Sequence, residues 1–519
     1  MQRRTLLLGG AVVAGGAAVG GYFFGQKLWQ YARGLTRPGT TGTALDKISH
    51  VVVLMLENRS FDNLLGKLYP KSDRFDGLSG SETNPDLEGR PVPIKNIPGT
   101  GQLSIINPWP DPGELFTDIN EQLFRTRTPA PGQTPTMDGF VINFLHQPDA
   151  SEDHYGELAQ RIMHYYEPEQ VPVISRLARQ FAVCDQWFAS APCQTWPNRF
   201  FMHTGTAGGF ENNEPYHFLE VPTIFDRLTE KLGPNSWVIY RHDFSLALNL
   251  PRLWFFPLNF FLFSDFLDDA KKGNLPAYSF IEPRYLPDTE LPNDQHPPHG
   301  VTAGEQLIAT VYNALRNGPQ WTSTLLIITY DEHGGCYDHV PPPAAVPPDT
   351  TPTSPFGFDR YGVRVPAVIV SPYIKANTIL RAPKGGAPFD HTSILATLRK
   401  RFALSAPLTR RDAAAPDLGM VDMWLNTPDN LGPERIEALP EEDFAARLEA
   451  SRRDPVNDLQ KSLLHINAQL PTPDRTVKEH IEARKSRGPV PAPDATMSAG
   501  EAAEVLKPLP EKLKTFRQN

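Results

Sequence analysis

The stretch HVVVLMLENRSFD, residues 50–62, places charged and polar side chains directly after a continuous apolar run. The run is rich in β-branched valine, which is typical of a strand buried on both faces, and such strands belong to parallel sheets that helices cover. In open α/β sheets, ligands bind just beyond the carboxyl ends of the strands. Glu57 and Asn58 follow this strand at once, so both are candidates for chemistry.

Similar apolar runs recur along the chain and alternate with helical patterns such as PEQVPVISRLARQFA and GEQLIATVYNALRN. This alternation predicts an α/β fold with a mostly parallel sheet and helices on both faces. We assign one catalytic domain to residues 35–425. The other predicted strands of its sheet are 236–241, 277–282, 324–331 and 365–372.

The start of the chain has a composition of its own. Residues 1–33 begin with the paired arginines Arg3 and Arg4 and continue with an apolar, glycine-rich stretch, which is the layout of a twin-arginine export signal. A single membrane span is the alternative, since the stretch is long enough for one. In either case, we expect the rest of the protein to be periplasmic, secreted or anchored facing outward.

The end of the chain, residues 426–519, is charged and punctuated by proline. Helical patterns at 441–452, 456–469 and 476–486 predict a helical wrap around the catalytic domain, followed by a polar tail.

Composition and net charge limit the kinds of molecule that the protein is expected to bind. The 519 residues include 40% hydrophobic ones, enough for a large core, and they carry a net charge of -9 with a pI of about 5.9. Because the chain has no long basic block, we expect no nucleic-acid partner. Its three cysteines are too few for a disulfide framework, and its 53 prolines predict long ordered loops.

A second predicted strand also ends in acids. In TLLIITYDEHGGCYDHV, residues 324–340, Asp331 and Glu332 follow the apolar run, and the pair Gly334-Gly335 lets the backbone approach a ligand closely. Gathered carboxylates repel each other and are costly to desolvate, so we expect a divalent cation where the two strands end. For each motif alone, the alternative is an acid that caps a helix or lies in a surface loop.

A candidate nucleophile, Thr195, lies in CDQWFASAPCQTWPNRFFMHTGT, residues 184–206, just before a helical pattern. A hydroxyl at a helix N-terminus lies where backbone N–H groups favour an anion such as a phosphate. A metal beside it would lower the pKa of the hydroxyl. The alternative is a threonine that only caps the helix. Arg199 is expected to pair with a phosphate or with an internal carboxylate.

A pair of loop histidines occurs in NDQHPPHGVTAGEQL, residues 293–307. The two prolines between His296 and His299 hold the pair rigidly, which suits a proton donor or a phosphate contact near neutral pH. Two solvent-exposed loop histidines are the alternative.

Six stretches resemble, in order, the signatures of the phosphoesterase family, which includes bacterial and plant non-specific phospholipases C and a bacterial acid phosphatase. They are HVVVLMLENRSFDNLLG, FAVCDQWFASAPCQTWPNRFFMHTGT, HPPHGVTAGE, ITYDEHGGCYDHVPPP, FDRYGVRVPAVIVSPY and FDHTSILATLRKRF. The resemblance covers residues 48–405 and implies an alkaline-phosphatase-like three-layer α/β/α sandwich.

The resemblance also implies a site and a reaction. The reaction is a two-step hydrolysis of a phosphoester through a phosphothreonine intermediate, with a divalent metal ion and no organic cofactor. Thr195 is the implied nucleophile and His296 the implied proton donor. The implied metal ligands are Glu57, Asn58, Asp331, Glu332 and Thr195, and the implied phosphate contacts are Asn58, His299 and Glu332.

One position departs from the family pattern. Members commonly carry DPGH, whereas this chain has DPGELFTDINEQLF, with Glu114 in place of the phosphate-binding histidine. An acid donates to a phosphate only when it is protonated. Three interpretations follow: the loop is displaced, another histidine (His146, His154 or His242) takes the place, or the substrate differs.

The resemblance favours a phospholipid diester as the substrate, cleaved to diacylglycerol and a phosphorylated head group. A phosphate monoester, as for an acid phosphatase, is the alternative, and a non-catalytic surface-binding protein on the same fold is a third. The aromatic stretch PRLWFFPLNFFLFSDFLDD, residues 251–269, is expected either to touch a membrane surface or to face the core.

Overall fold

An eight-stranded sheet forms the centre of the computed structural model, which describes residues 44–97, 108, 110–147, 155–213, 218–297, 299–349, 354–485 and 497–516. The described strands are β1 (His50–Leu56), β2 (Thr83–Pro85), β3 (Pro91–Pro93), β4 (Lys95–Asn96), β5 (His164–Tyr165), β6 (Ala182–Cys184), β7 (Trp187–Phe188), β8 (Trp237–Arg241), β9 (Phe260–Leu262), β10 (Tyr278–Glu282), β11 (Thr324–Tyr330), β12 (Ala367–Val370), β13 (Thr378–Leu380) and β14 (Phe389–Asp390). The order across the main sheet is β13-β6-β12-β11-β1-β10-β8-β9.

The sheet is mostly parallel, as the sequence predicts. Strand β1 lies between β10 and β11 and pairs in parallel with both. Strand β12 runs antiparallel to both of its neighbours, β11 and β6. The carboxyl ends of β1 and β11 therefore meet at one edge of the sheet, and every residue of these two strands is buried.

All five predicted strands are confirmed, with bounds that differ by one or two residues from the predicted ones. The short strands β6, β9 and β13 were not predicted. Each has three residues, too few to show a periodic pattern.

The helices make a three-layer α/β/α arrangement with the sheet. They are α1 (Phe61–Leu65), α2 (Phe116–Phe124), α3 (Phe140–Leu145), α4 (Tyr155–Arg161), α5 (Pro172–Gln180), α6 (Thr195–Thr204), α7 (Ile224–Leu232), α8 (Phe263–Lys272), α9 (Val301–Arg316), α10 (Thr392–Phe402), α11 (Arg410–Ala414), α12 (Phe444–Arg453), α13 (Asp458–Gln469), α14 (Val477–Lys485), α15 (Ala499–Leu506) and α16 (Leu509–Lys514). Helix α9 packs against α5 and α8, while α6 packs against α7 and α10. These two groups cover the sheet.

Helices α12, α13 and α14 lie where the sequence predicts helical segments, and α15 and α16 lie where it predicts a polar tail. Apolar side chains from α13, α15 and α16 belong to the same buried cluster as the central strands. The division of the chain into a catalytic domain and a C-terminal wrap stays a prediction.

In the described part of the chain, no helix combines the length and the apolar character that a membrane crossing requires. Residues 1–33, predicted to be an export signal or an anchor, lie outside the described residues.

Candidate active site

Glu57 and Asp331 lie close together because β1 and β11 end side by side. The backbone N–H of Asp331 donates to the carbonyl oxygen of Leu56 at 3.2 Å. The N–H of Asn58 donates to Oδ1 of Asp331 at 3.1 Å. Asn58 has a φ of 53°, a left-handed conformation that asparagine tolerates better than most residues. Parallel pairing thus brings Glu57, Asn58 and Asp331 together, as predicted from the sequence.

Thr195 is the first residue of α6, and its hydroxyl donates to Oε2 of Glu57 at 3.2 Å. Gln194, not Thr195, is the N-cap residue of this helix. The turn before the helix is held by Asn198, whose side-chain amide donates to the carbonyl oxygen of Cys193 at 2.7 Å. The threonine side chain is therefore directed at the acids of the neighbouring strand, which a capping role would not require.

Arg199, one turn along α6, pairs with the acids at both strand ends. Its guanidinium donates to Oε1 of Glu57, and its Nε lies 3.4 Å from Oδ2 of Asp331. An internal carboxylate is one of the two partners considered for Arg199 from the sequence, and pairing of Arg199 with a phosphate stays a prediction. Burial raises the pKa of Glu57 well above its usual range, Asp331 adds to that shift, and Arg199 opposes it.

Glu332, the residue after Asp331, is fully buried. Its Oε2 accepts from the N–H of Gly334 at 2.7 Å, and its backbone oxygen accepts from the N–H of Arg59 at 3.1 Å. Burial, with a further contribution from Asp331, raises the pKa of Glu332. The carboxylate is held in place by backbone donors on its own loop.

The glycine pair after Glu332 makes room for two loops of the site. A Cβ atom on Gly334 would lie 2.3 Å from the backbone oxygen of Asn58, and one on Gly335 would lie 2.6 Å from Cβ of Pro112. Both glycines have positive φ values, 60° and 64°. The pair therefore lets the loops before Glu114 and after Glu57 pack together, and the predicted approach of its backbone to a ligand stays a prediction.

His296 and His299 are not the exposed loop residues that the alternative interpretation required. His296 is 2% exposed, and burial lowers its pKa. Nδ1 of His299 lies 2.7 Å from Oδ1 of Asp294, whose backbone oxygen accepts from the N–H of Glu57 at 2.9 Å. This loop is therefore anchored to the end of β1.

Glu114 occupies the place that the family pattern gives to a histidine. Its Oε1 accepts from Nδ2 of Asn58 at 2.5 Å and lies 3.5 Å from Nε2 of His296. Burial raises the pKa of Glu114, and the charges of Asp111 and Glu332 raise it further. The loop is therefore not displaced from the site.

Two of the three histidines considered as substitutes have other partners. Nδ1 of His146 lies 3.2 Å from Oε1 of Glu121. His242 stacks on Phe263 with ring centres 4.1 Å apart. His154 lies outside the described residues. The interpretations that His154 takes the place of the family histidine and that the substrate preference differs both stay predictions.

Gln122, on α2, joins two loops of the site; its stretch DINEQLF belongs to the family pattern quoted from the sequence, where no role was assigned to it. Its Nε2 donates to the carbonyl oxygen of Gly113 at 2.7 Å, and its Oε1 lies 2.8 Å from Nε2 of His333. It thus fixes the residue before Glu114 relative to the residue after Glu332. Spacing along the chain gave no signal for this contact, because 211 residues separate Gln122 from His333.

The donor set fits a divalent cation. Three buried oxygen acceptors accept no hydrogen bond: Oδ1 of Asn58, Oδ2 of Asp331 and Oε1 of Glu332. Buried acceptors without a donor are costly unless a cation or water satisfies them. Carboxylate, amide and hydroxyl oxygens are ligands that hard divalent cations accept. Glu57 and Thr195 lie beside these three residues.

Most aromatic side chains of the stretch 251–269 face the core. Trp254 and Phe266 are fully buried, and Phe260 and Phe261 nearly so. The exposed apolar residues of the stretch are Phe255, Leu258 and Leu262.

A model of the phosphoesterase family matches residues 48–405 of this chain. The match covers most of the chain and includes every site residue described above. The chain therefore belongs to the phosphoesterase family and is a hydrolase that acts on phosphate esters.

Among similar proteins, non-specific phospholipase C1 of Arabidopsis thaliana is 37% identical over 82% of this chain and 79% of that protein. Non-specific phospholipase C6 of the same plant is 40% identical over 73% of each chain. Phospholipase C A of Mycobacterium tuberculosis is 28% identical over 76% of this chain and 82% of that protein. A crystal structure of Ps i-CgsB with k-i-k-neocarrahexaose is 13% identical and covers 48% of this chain and 70% of that chain, with a TM-score of 0.31, too low to add to the fold described above.

Proposed function

We propose that this protein is an exported, metal-dependent phospholipase C that cleaves phospholipids through a phosphothreonine intermediate. The observation that carries the proposal is the hydrogen bond of 3.2 Å from the Thr195 hydroxyl to Glu57, made at the N-terminus of α6. It joins a nucleophile, an acceptor for its proton and an anion-binding helix end in one place.

The first step transfers the phosphoryl group to the protein. Oγ1 of Thr195 attacks phosphorus while its proton passes toward Glu57, a carboxylate that burial makes more basic. The bond from phosphorus to the glycerol oxygen breaks, and His296, in its protonated form, gives a proton to the leaving diacylglycerol oxygen.

The second step regenerates the enzyme. Water attacks the phosphothreonine and passes a proton to His296, the bond to Thr195 breaks while Glu57 returns its proton to Oγ1, and the phosphorylated head group leaves. Nδ2 of Asn58 and the N-terminal N–H groups of α6 are positioned to stabilise negative charge on phosphate oxygens. Both steps are displacements at phosphorus accompanied by proton transfers, so the proposal includes no organic cofactor.

A divalent cation is part of the proposal. Asp331, Glu332, Asn58, Glu57 and Thr195 would hold it, because the unpaired acceptor atoms belong to this group of residues. A cation there would supply Lewis-acid stabilisation of phosphate charge and lower the pKa of the threonine hydroxyl.

Two further parts of the proposal concern location. Export by the twin-arginine route rests on Arg3 and Arg4 and on the apolar stretch after them. Contact with a lipid surface through residues 251–269 rests on Phe255, Leu258 and Leu262, which expose apolar area there.

The test measures how fast the chain from residue 34 onward cleaves two substrates. One is phosphatidylcholine in mixed micelles, and the other is a soluble phosphate monoester. We expect faster release of diacylglycerol from the lipid. Thr195→Ala should lower kcat by a factor of about a thousand or more, whereas Thr195→Ser, which keeps a hydroxyl, should retain activity.

Faster release of inorganic phosphate from the monoester would instead assign a phosphatase. An active Thr195→Ala variant would refute the nucleophile. If neither substrate is cleaved by the wild-type protein with divalent cations present, the proposed function is wrong.

A further inference from the structure

The carbonyl group of Asp331 lies just beyond the hydrogen-bonded part of the sheet. The last ladder pairs of β11 are Tyr330 with Leu56 of β1 and Thr329 with Ala367 of β12. Asp331 follows both ladders, so strand pairing does not fix its backbone oxygen. The orientation of that oxygen has to come from another part of the chain.

His391 contacts this carbonyl group. Its Nε2 lies 2.6 Å from the backbone oxygen of Asp331, and both residues are fully buried. His391 is the N-cap residue of α10, but its side chain makes no capping hydrogen bond. The ring therefore serves a contact 60 residues away in the chain and not the helix that it precedes.

The second partner of His391 determines which ring nitrogen carries the hydrogen. Nε1 of Trp187 donates to Nδ1 of His391 at 3.4 Å. Because an indole N–H can only donate, Nδ1 accepts and Nε2 carries the hydrogen. The ring thus donates to the backbone oxygen of Asp331.

The two-stranded sheet of β7 and β14 holds the histidine and its tryptophan partner together. Trp187 is the first residue of β7 and pairs with Phe389 of β14, two residues before His391. The rings of Trp187 and Phe389 stack with their centres 5.6 Å apart and their planes at 7° to each other. This small sheet therefore fixes the ring of His391 before α10 begins.

The hydrogen bonds of Asp331 leave one carboxylate oxygen for a cation. Its N–H donates to Leu56, and its Oδ1 accepts from the N–H groups of Asn58 at 3.1 Å and Glu332 at 2.8 Å. Oδ2 is buried and accepts no hydrogen bond from the described residues. With the backbone oxygen held by His391 as well, Oδ2 is the atom of Asp331 that remains for a ligand.

We propose that His391 is a positioning residue of the cation site, which fixes the backbone of Asp331 so that Oδ2 is presented to a divalent cation. This inference rests on the cation of the proposed function. Carboxylates that bind metals are themselves held by hydrogen bonds, and the loss of such a supporting partner lowers metal affinity by a factor of about ten to a hundred.

The experiment titrates Mn²⁺, a divalent cation that carboxylate oxygens bind, into the metal-free full-length protein and measures the dissociation constant by calorimetry. Two substitutions place an amide donor at different depths. The amide nitrogen of Gln reaches about as far as Nε2 of histidine, whereas that of Asn reaches only about as far as Nδ1. We expect His391→Asn to weaken Mn²⁺ binding by a factor of about ten or more and His391→Gln to stay within about three-fold of the wild type.

The matched control is His50, at the opposite end of β1. Its Nδ1 lies 2.9 Å from the backbone oxygen of Pro276, and the residue is 6% exposed. His391→Leu and His50→Leu each remove a buried histidine that contacts a carbonyl group, so both should lower the melting temperature of the metal-free protein. Only His391→Leu should also weaken Mn²⁺ binding, because the full length of β1 separates His50 from Glu57.

Equal Mn²⁺ affinities of the wild type, His391→Asn and His391→Leu would overturn the inference. So would a loss in His391→Gln as large as that in His391→Asn, because the donor would then not matter. An equal loss in His50→Leu would show a general effect of destabilisation and would overturn it too. If His391→Leu does not fold, the comparison of Gln with Asn decides.

Two results would refute the cation of the proposed function, and the inference with it. One is a wild-type protein that binds no Mn²⁺, and the other is Mn²⁺ binding that Asp331→Asn leaves unchanged. Both are read from binding alone, so they are distinct from a failure of His391 to affect a site that does bind the ion.

Discussion

Two clusters at the same edge of the sheet each combine two carboxylates with a histidine, and they differ in what neutralises the carboxylates. One group, which we call the acidic cluster, combines Asp111 and Glu114 with His296. A second group, which we call the arginine-paired cluster, combines Asp62 and Asp338 with His339, and its ligand atoms also lie within 4.8 Å of one another. Residue type and proximity alone would assign a ligand to both.

The arginine-paired cluster is complete without a ligand. Nε of Arg364 donates to Asp338 and its Nη2 donates to Asp62, each at 2.9 Å. His339 lies 2.6 Å from Asp62 through Nδ1. Burial lowers the pKa of His339, but the carboxylates of Asp62 and Asp76 outweigh it and raise the pKa to about 9. Two cationic side chains thus balance the acids.

In the acidic cluster the histidine behaves in the opposite way. Burial lowers the pKa of His296, and no arginine is paired with its two acids among the described residues. The difference teaches that a group of acids and a histidine indicates a ligand site only when the protein supplies no counter-charge of its own.

The largest effect is expected for substitution of Glu57, which should lower kcat while leaving the fold intact. Glu57→Gln removes the acceptor for the Thr195 proton and one charged partner of Arg199. We expect kcat to fall by a factor of about a thousand or more, since both the nucleophile and the metal site lose a carboxylate. Steady-state rates on the better substrate measure this change, with circular dichroism to verify the fold. Activity within ten-fold of wild type would contradict the role given to Glu57.

Removing Arg364, the counter-charge of the arginine-paired cluster, should lower the stability of the folded protein. Arg364→Met leaves Asp62 and Asp338 buried without their cation, and we expect the free energy of unfolding to fall by about 3–5 kcal/mol. Urea unfolding followed by circular dichroism measures the loss. Arg364→Lys, which keeps the charge but not the two-pronged geometry, is the matched variant and should lose less. Equal urea midpoints for wild type and Arg364→Met would show that the pairing is not what neutralises this cluster.

A smaller effect is expected from pH. His339 has a folded-state pKa of about 9 against an ordinary value of 6.5, so its contribution to stability is complete below about pH 6.5 and is lost as pH rises through 9. Its size is at most about 3 kcal/mol. The free energy of unfolding should therefore decline between pH 6.5 and 9.5 more steeply in the wild type than in His339→Gln. Parallel pH profiles of the two proteins would rule out a charged histidine in this cluster.

Much of the sheet was predictable because its strands carry a local signal. A continuous apolar run such as 324–331 marks a buried strand wherever it lies, and the acids after it mark the ligand-binding edge. The reversed direction of β12 has no such signal, since an apolar run reads the same in either direction. Helices α15 and α16 were missed although Ser498 and Glu501 form a capping box that marks the start of α15.

For the site, the residues that follow strands were predictable and the contacts between distant segments were not. Glu57, Asp331 and Thr195 stood out by motif, and the structure places them together. The partner of Arg199 and the bridging role of Gln122 depend on side chains more than 100 residues away in the chain. Asp111 attracted no notice because a lone loop aspartate is common.

The sequence by itself determined the family, the mostly parallel sheet and the residue types available for phosphoryl transfer, because these depend on local apolar runs and on motifs with short spacing. Only the tertiary structure decided which charges are neutralised. Charge balance depends on distances between segments that are remote in the chain, and the interaction of two charges changes several-fold with burial and with a few ångströms of separation. Arg364 reaches Asp62 and Asp338, and no arginine or lysine of the described residues pairs with Asp111 and Glu114.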